Sequence, residues 1–344
     1  MELAKFDYYL PKKFIAQEPV SPRDRAKLFV IKVGKKEKIY HTKFFELGNF
    51  LSPGDLIVVN NSKVIPARLF GRKETGGKVE ILLLKERDDI WEVLLKNYKK
   101  KDFPKKLFFE NALRGKVLID SPQGRWRIEF NKKGRDFREY IYQYGQAPTP
   151  PYIKKKARLS DYQTIYAKKE GSIAGPTAGF HFTGELIKKL KAKGIEFVEI
   201  TLHVGRGTFA PIQASLVEEY EMEPEEVEIS PSAAARIKKA KGKGRRIIAV
   251  GTTVVRTLED FAEKGEAFGK REVDLFIFPG YKFKVVDAFI TNFHLPCATP
   301  LLLTSAFYCW KKNQLAIKGF LSFYKEAVKE KYRFYSFGDA MLIL

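Results

Sequence analysis

From about residue 152 to the C-terminus, short apolar runs alternate with stretches of helical period, and this alternation limits the fold more than any other feature of the chain. Residues 185–193, 232–241, 252–263, 300–310 and 314–329 carry the helical pattern, and residues 195–204, 246–250, 273–278 and 283–290 read as strands. Strands separated by helices of this length imply a mostly parallel sheet with helices on both faces. Residues 1–62 supply strand-like runs at 28–33 and 56–60 but no helix of their own, and Pro19 and Pro22 exclude a helix between them. The simplest architecture therefore joins 1–62 and 152–344 into one discontinuous α/β domain.

Residues 63–151 have a different texture. VIPARLF, KVEILLL, IWEVLLK, KLFFENA, GKVLI and RWRIEF are six short β-like runs between turn residues, the signature of a small closed barrel. In the last run Trp126, Ile128 and Phe130 fall on one face and Arg125, Arg127 and Glu129 on the other. Pro148, Pro150 and Pro151 stiffen the exit. The expected fold class is thus α/β plus β, with a β-barrel domain (63–151) inserted into the α/β domain.

Charge narrows the partner. Sixty-three Lys plus Arg against 41 Asp plus Glu leave a net charge of +22. A heat-adapted surface explains many charges of both signs but not so large an excess of one, which suits a polyanion. Lys99, Lys100, Lys101, Lys105, Lys106, Arg125 and Arg127, interleaved with Tyr98, Phe103 and Trp126, are candidates for RNA contact in the barrel. The competing reading is that these cations guard strand edges against aggregation. Cys297 and Cys309 lack C-x-x-C spacing, so neither a disulfide framework nor a thiolate metal site is expected. The N-terminal stretch has no apolar signal core and no apolar run is long enough to span a bilayer, so a cytoplasmic protein without membrane contact is expected.

The candidate chemistry lies in glycine- and threonine-rich loops. SIAGPTAGFHFT (172–183) and TLHVGRGTFAPI (201–212) bury little and let a ligand approach the backbone. Gly251, Thr252 and Thr253 run from an apolar strand into a helix and offer free N–H groups to an anion, with Arg256 one turn on. Gly205 to Ala210 matches G-x-G-x-x-A in form, but Pro211 follows where a dinucleotide site needs its helix. Of four histidines, His181, His203 and His294 occupy such strand-end segments, without the spacing of a metal motif. No G-x-S-x-G elbow occurs. These residues describe an α/β enzyme with acid/base histidines, a polar ligand pocket and a basic barrel.

The segments IAQEPVSPRDRAKL, SPGDLIVVNNSKVIPARL, YQTIYAKKEGSIAGPTAGFHFT, TLHVGRGTFAPI, VGTTVVRTLE, TNFHLPCATPLLLTSAF and YRFYSFGDAMLI, in that order along the whole chain, resemble the S-adenosylmethionine:tRNA ribosyltransferase-isomerases of the queuosine pathway. The resemblance implies transfer and isomerisation of the ribosyl part of S-adenosylmethionine onto 7-aminomethyl-7-deazaguanine at the tRNA wobble position. Epoxyqueuosine would form, and adenine and methionine would leave. The sulfonium acidifies the adjacent C5′–H, so a base near neutral pKa could remove that proton before adenine departs and the RNA amine attacks. His181 or His203 is the candidate base, and His294 or Asp339 the candidate acid or orienting partner. Thr177, Gly179, Phe182, Thr183, Gly205, Gly207, Thr208 and Asn292 are expected around the adenosyl group. Gly251, Thr252, Thr253 and Arg256 are expected around the methionine carboxylate. S-adenosylmethionine enters as co-substrate, no metal is expected, and the protein is expected to act as a monomer.

The chain departs from the family pattern at four places. Tyr220 and Glu223 stand where the family has histidines, Asp161 where it has arginine, and Asn61 where it has aspartate. Two rival functions follow from the same sequence, an S-adenosylmethionine-dependent RNA methyltransferase and a non-enzymatic RNA-binding protein. The first needs a helix starting at 207–210, and the second gives the histidine loops no task.

Overall fold

The structure is a computed structural model that describes residues 1–99, 106–121, 125–155, 157–205, 212, 214–265 and 268–344. The chain begins with β1 (Lys27–Lys32), β2 (Lys38–Lys43), β3 (Leu56–Asn60) and β4 (Ser62–Val64). Six strands follow: β5 (Arg68–Lys73), β6 (Lys78–Arg87), β7 (Ile90–Lys96), β8 (Lys106–Phe108), β9 (Arg114–Ser121) and β10 (Arg125–Phe130), then α1 (Gly134–Tyr144). The remainder comprises β11 (Lys169–Ser172), α2 (Gly184–Ala192), β12 (Glu196–Leu202), β13 (Glu225–Ile229), α3 (Pro231–Gly242) and β14 (Ile247–Val250). It ends with α4 (Thr252–Glu263), β15 (Gly269–Val273), β16 (Ala288–Asn292), α5 (Thr299–Lys312), α6 (Ile317–Lys329) and β17 (Ala340–Ile343).

Among the described residues, nine strands form one sheet in the order β15-β13-β12-β3-β14-β16-β17-β1-β2. Its centre, β12-β3-β14-β16, is parallel throughout, with Leu56 opposite both Glu196 and Ile247. The margins bring in antiparallel pairs, β16 with β17, β1 with β2, and β13 with β12 and β15. The sheet is therefore mixed, with its parallel part in the middle. The central strands are apolar on both faces because both faces are covered. Ile57, Val59, Ile248, Val250 and Ile290 pack beneath α2 and the segment Phe44–Phe50. Leu56, Val58, Ile247, Ala249 and Phe289 share the opposite core with apolar residues of α3 to α6.

The barrel closes in the order β10-β7-β6-β5-β8-β9. Trp126, Ile128 and Phe130 point inward, as their alternation predicts, and join Val79, Ile81 and Val93. Helix α1, unforeseen in the sequence, supplies Phe137 and Ile141 to the same core, with Phe137 stacked on Phe130 at 4.6 Å.

Two expected strands are displaced: 273–278 meets β15 only at Val273, and 283–290 overlaps β16 only at 288–290, side chains taking the backbone groups in between. Residues 274–278 are not a strand: Arg256 takes the carbonyls of Val273 and Leu275 at 3.2 and 3.0 Å. Before β16, the carboxylate of Glu259 accepts the N–H groups of Lys284, Val285 and Val286 at 2.7–3.0 Å. That carboxylate is fully buried, and burial pushes its pKa up.

Candidate active site

The carboxyl ends of β12, β14 and β16 line one cleft. β3 lies between β12 and β14 and β16 flanks β14, so the crevice spans the carboxyl edge of the parallel centre of the sheet, and its walls come from the segments at these strand ends. Val204 follows β12, Gly251 to Thr253 follow β14, Thr291 and Asn292 end β16, and His294 lies just beyond it. Thr177 and Tyr335 close the remaining sides.

The turn from β14 into α4 is direct because Gly251 sits at φ 92°, a left-handed conformation that favours glycine. Val254 and Val255 N–H bond back to the Gly251 carbonyl, while the N–H groups of Thr252 and Thr253 belong to the first turn of α4, which has no partners within the helix. Thr253 lines the cleft, is 5% exposed, and its Oγ1 has no hydrogen-bond partner in the described structure. A buried hydroxyl left unpaired costs roughly 1–3 kcal/mol, and this one can donate or accept a hydrogen bond.

Asn292 sits at the centre of the polar wall. Its amide nitrogen donates to the Tyr335 carbonyl at 3.1 Å and lies 3.4 Å from Nε2 of His181, and its oxygen is 3.4 Å from the Thr177 hydroxyl. Tyr335 holds a positive φ of 74°, strain concentrated beside the cleft. His181 thus stands behind Asn292, stacked near Phe44 rather than lining the cleft. Burial, aided by Arg333 and Arg23, pushes its pKa down to about 3. His294 does line the cleft; Nε2 is 2.8 Å from the Thr291 hydroxyl, and burial lowers its pKa to about 3. Burial holds both imidazoles neutral across the physiological range and disfavours their protonated form, so neither is the base near neutral pKa that the sequence led one to expect.

His203 belongs to a second cleft, between β6, β7 and β10 of the barrel and the β12–β13 margin of the sheet. Its ring lies against Gly171, where a Cβ would come within 3.1 Å of it. Nδ1 is buried without a partner among the described residues. Burial lowers its pKa, opposed by Glu226 and Glu228. Val204 lines both clefts and forms the wall between them.

Several residues expected in the site have structural duties instead. Phe182 is wholly buried between Phe44, Tyr166 and Phe197. Thr183 caps α2, accepting from Leu186 N at 3.2 Å and donating to Asp24 at 2.8 Å. Gly179 is a close-packing position: a Cβ would sit 2.1 Å from the Tyr166 hydroxyl. Asp339 accepts the N–H groups of Lys27 and Arg333 at 2.8 and 2.7 Å, which pins the C-terminal turn and leaves it outside both clefts. Arg256 is 4% exposed and paired with Glu225 at 2.5 Å, so its guanidinium holds the sheet margin rather than a ligand carboxylate. Gly205 donates to the other oxygen of Glu225 at 2.8 Å and lines the second cleft. Gly207 and Thr208 lie outside the described residues, as does the stretch on which the dinucleotide motif turns.

The sequence set Thr291 in the polar segment 291–296 without a role of its own and did not single out Tyr335. Thr291 precedes a named asparagine, and Tyr335 carries no composition signal because its role comes from its backbone carbonyl and its φ. The four departures from the family pattern have local partners. Glu223 pairs with Arg125 at 2.7 Å, Asp161 with Arg158 at 3.0 Å, Asn61 accepts from Thr201 at 2.7 Å, and Tyr220 packs on Phe276.

The expected RNA contacts divide as well. Lys99, Lys106 and Arg127 are exposed, whereas Arg125 is engaged by Glu92 and Glu223, both at 2.7 Å. Tyr98 and Trp126 meet edge to face at 4.9 Å inside the barrel and are not stacking platforms. Lys100, Lys101, Phe103 and Lys105 lie outside the described residues.

Residues 3–343 match the family model described as queuosine biosynthesis protein. The S-adenosylmethionine:tRNA ribosyltransferase-isomerase of Carboxydothermus hydrogenoformans is 50% identical, with all of both chains covered. That of Desulfitobacterium hafniense is 49% identical over the full length of both. The crystal structure of an S-adenosylmethionine tRNA ribosyltransferase from Thermotoga maritima superposes with a TM-score of 0.55 at 36% identity, covering 99% of this chain and 100% of that one.

Proposed function

The chain belongs to the queuosine biosynthesis family, and on that premise we propose that its two clefts divide one reaction between them: S-adenosylmethionine in the cleft at the sheet's carboxyl edge, the modified tRNA base in the cleft beside the barrel. The activity is that of an S-adenosylmethionine:tRNA ribosyltransferase-isomerase, with S-adenosylmethionine as co-substrate and tRNA as acceptor. Neither the methyltransferase nor the binding-protein reading is favoured.

The observation that carries the division is the shared wall at Val204, with an uncharged imidazole on either side. The reaction requires two proton removals, one from C5′ beside the sulfonium and one from the ammonium of the aminomethyl base. His294, expected as the acid or orienting partner, lines the first cleft whereas His181 does not, and it takes the C5′ proton in place of His181. Its low basicity is offset by a fixed position and by the absence of competing protonation. Asn292, braced by Tyr335 and His181, orients the sugar. The amide and hydroxyl groups at the start of α4 hold the methionine carboxylate, without help from Arg256. His203, in the second cleft, takes the ammonium proton and leaves a neutral amine to attack.

The α/β unit, 1–62 and 152–344, carries both clefts, and the inserted unit, 63–151, supplies one wall of the second together with contacts to tRNA. The enzyme works as a cytoplasmic monomer. Among the described residues no helix is long and apolar enough to cross a membrane.

The deciding experiment is chromatography of the products formed from S-adenosylmethionine and tRNA bearing the 7-aminomethyl base, with unmodified tRNA as control. Adenine and methionine should appear only with the modified tRNA. S-adenosylhomocysteine in their place would mean methyl transfer, and bound RNA without turnover would mean a binding protein.

A further inference from the structure

The barrel has two chemically different sides. On the side of the second cleft its cations are paired: Arg125 with Glu92 and Glu223, Lys85 with Glu272 at 2.7 Å, Arg138 with Glu86 at 3.0 Å. The opposite arc, β5, β8 and β9, is built otherwise. Lys78 stands opposite Arg72, Arg72 opposite Phe108, and Phe108 opposite Arg114, so one row across four strands presents three cations around an aromatic ring. In the next row Lys106 stands directly opposite Lys116.

All five cations are exposed, and none has an ion-pair partner among the described residues; Arg72 donates to the Gly76 carbonyl at 3.2 Å. Glu129 lies opposite Lys116 but is engaged by Lys133 at 3.5 Å. Phe108 is 36% exposed, and Phe70, two residues from Arg72 on the same face, is 50% exposed.

Like charges set directly opposite each other destabilise a sheet, and exposed phenylalanines add nothing to its solubility. Protection of a strand edge does not explain them, because a closed barrel has no edge. A polyanion that also offers flat apolar surfaces accounts for both features at once: phosphates relieve the repulsion, and bases or sugars cover the rings.

We infer that this outer face of β5, β8 and β9 is a docking surface for the body of the tRNA, away from the base being modified. The inference rests on the tRNA-modifying activity proposed above. The cleft side of the barrel meets the modified nucleotide, and the far side grips backbone phosphates elsewhere on the same molecule.

The test uses the full chain carrying Arg72→Glu with Arg114→Glu, the milder pair Arg72→Ala with Arg114→Ala, and a charge-matched control, Lys188→Glu with Lys191→Glu on exposed positions of α2. Equilibrium binding of tRNA is followed by fluorescence anisotropy between about 50 and 200 mM salt. The barrel alanine pair should lower the slope of log affinity against log salt by about two, and the barrel glutamate pair should weaken binding by about tenfold or more at the low-salt end. The KM for S-adenosylmethionine and the turnover at saturating tRNA should stay at wild-type values. The control should keep the wild-type slope. Barrel variants that bind tRNA with the affinity and slope of the control would overturn the inference. A wild-type protein that binds tRNA but releases no adenine would sink the proposed activity instead, so the two failures are told apart.

Discussion

The two clefts share Val204 yet are built from different materials. The first is lined by hydroxyls, an amide, backbone groups and His294, with no Asp, Glu, Lys or Arg. The second is lined by seven glutamates and four Lys or Arg around His203. Groups at the ends of parallel strands cannot shift without disturbing the sheet, so the first cleft is preorganised for one small ligand. Long side chains in partly exposed ion pairs are individually worth little and can exchange partners, so the second can adapt to a nucleotide arriving on a large RNA. Rigidity is placed where the bond-breaking chemistry is, and adjustability where the macromolecule enters.

The largest expected effect comes from the joint between the clefts. Glu225 bonds Gly205 with one oxygen and Arg256 with the other. Glu225→Ala would leave a buried guanidinium uncompensated and cost about 3–5 kcal/mol in denaturant unfolding. Arg256→Ala should do likewise. An Arg256→Ala protein of wild-type stability with a raised KM for S-adenosylmethionine would return Arg256 to the ligand and blur the distinction between the clefts.

Next in size, His294→Ala should lower turnover by about 100-fold or more while leaving tRNA affinity unchanged, measured by single-turnover adenine release. A loss of only a few-fold would remove proton transfer from the first cleft.

The buried histidines also set an acid limit on stability. His181 and His294 have pKa values lowered from 6.5 to about 3, so between those values the unfolded chain binds more protons than the folded one. Their contribution is present above about pH 6.5 and is lost as the pH falls toward 3. Each should account for about 2 kcal/mol lost by about pH 5. Urea titrations at several pH values should show that loss shrink in His181→Gln, whereas His203→Gln should change it less.

The smallest effect is the most selective. Thr253→Val replaces an unpaired buried hydroxyl with a group of the same shape, so stability should hold or rise. If that hydroxyl meets the ligand, the KM for S-adenosylmethionine should increase about tenfold.

Much of this arrangement is legible in the sequence because it rests on period and on turn residues. The alternation of Trp126, Ile128 and Phe130 and the spacing of six short runs gave the barrel its strands. Gly251 between an apolar run and Thr252 marked a strand-to-helix turn that became one wall of the first cleft. What could not be read depends on contacts between distant residues. The failure of 274–278 to extend a strand depends on Arg256 reaching two carbonyls, and the short start of β16 on Glu259. Thr183 and Asp339 have the chemistry of site residues, but partners at Asp24 and Lys27 claim them. His181, His203 and His294 look alike in their glycine- and asparagine-rich settings, and only the places of β12 and β16 in the sheet, with β3 and β14 between them, assign two of them to different clefts.

The most direct test of the two-cleft account is steady-state kinetics on Thr253→Val and His203→Gln, varying S-adenosylmethionine and 7-aminomethyl-modified tRNA in turn. The account predicts a split: Thr253→Val raises the KM for S-adenosylmethionine alone, and His203→Gln lowers kcat/KM for tRNA while the KM for S-adenosylmethionine stays put. If both variants raise the KM for S-adenosylmethionine and neither touches the tRNA parameters, the clefts are one site, and the division of labour across Val204 is wrong.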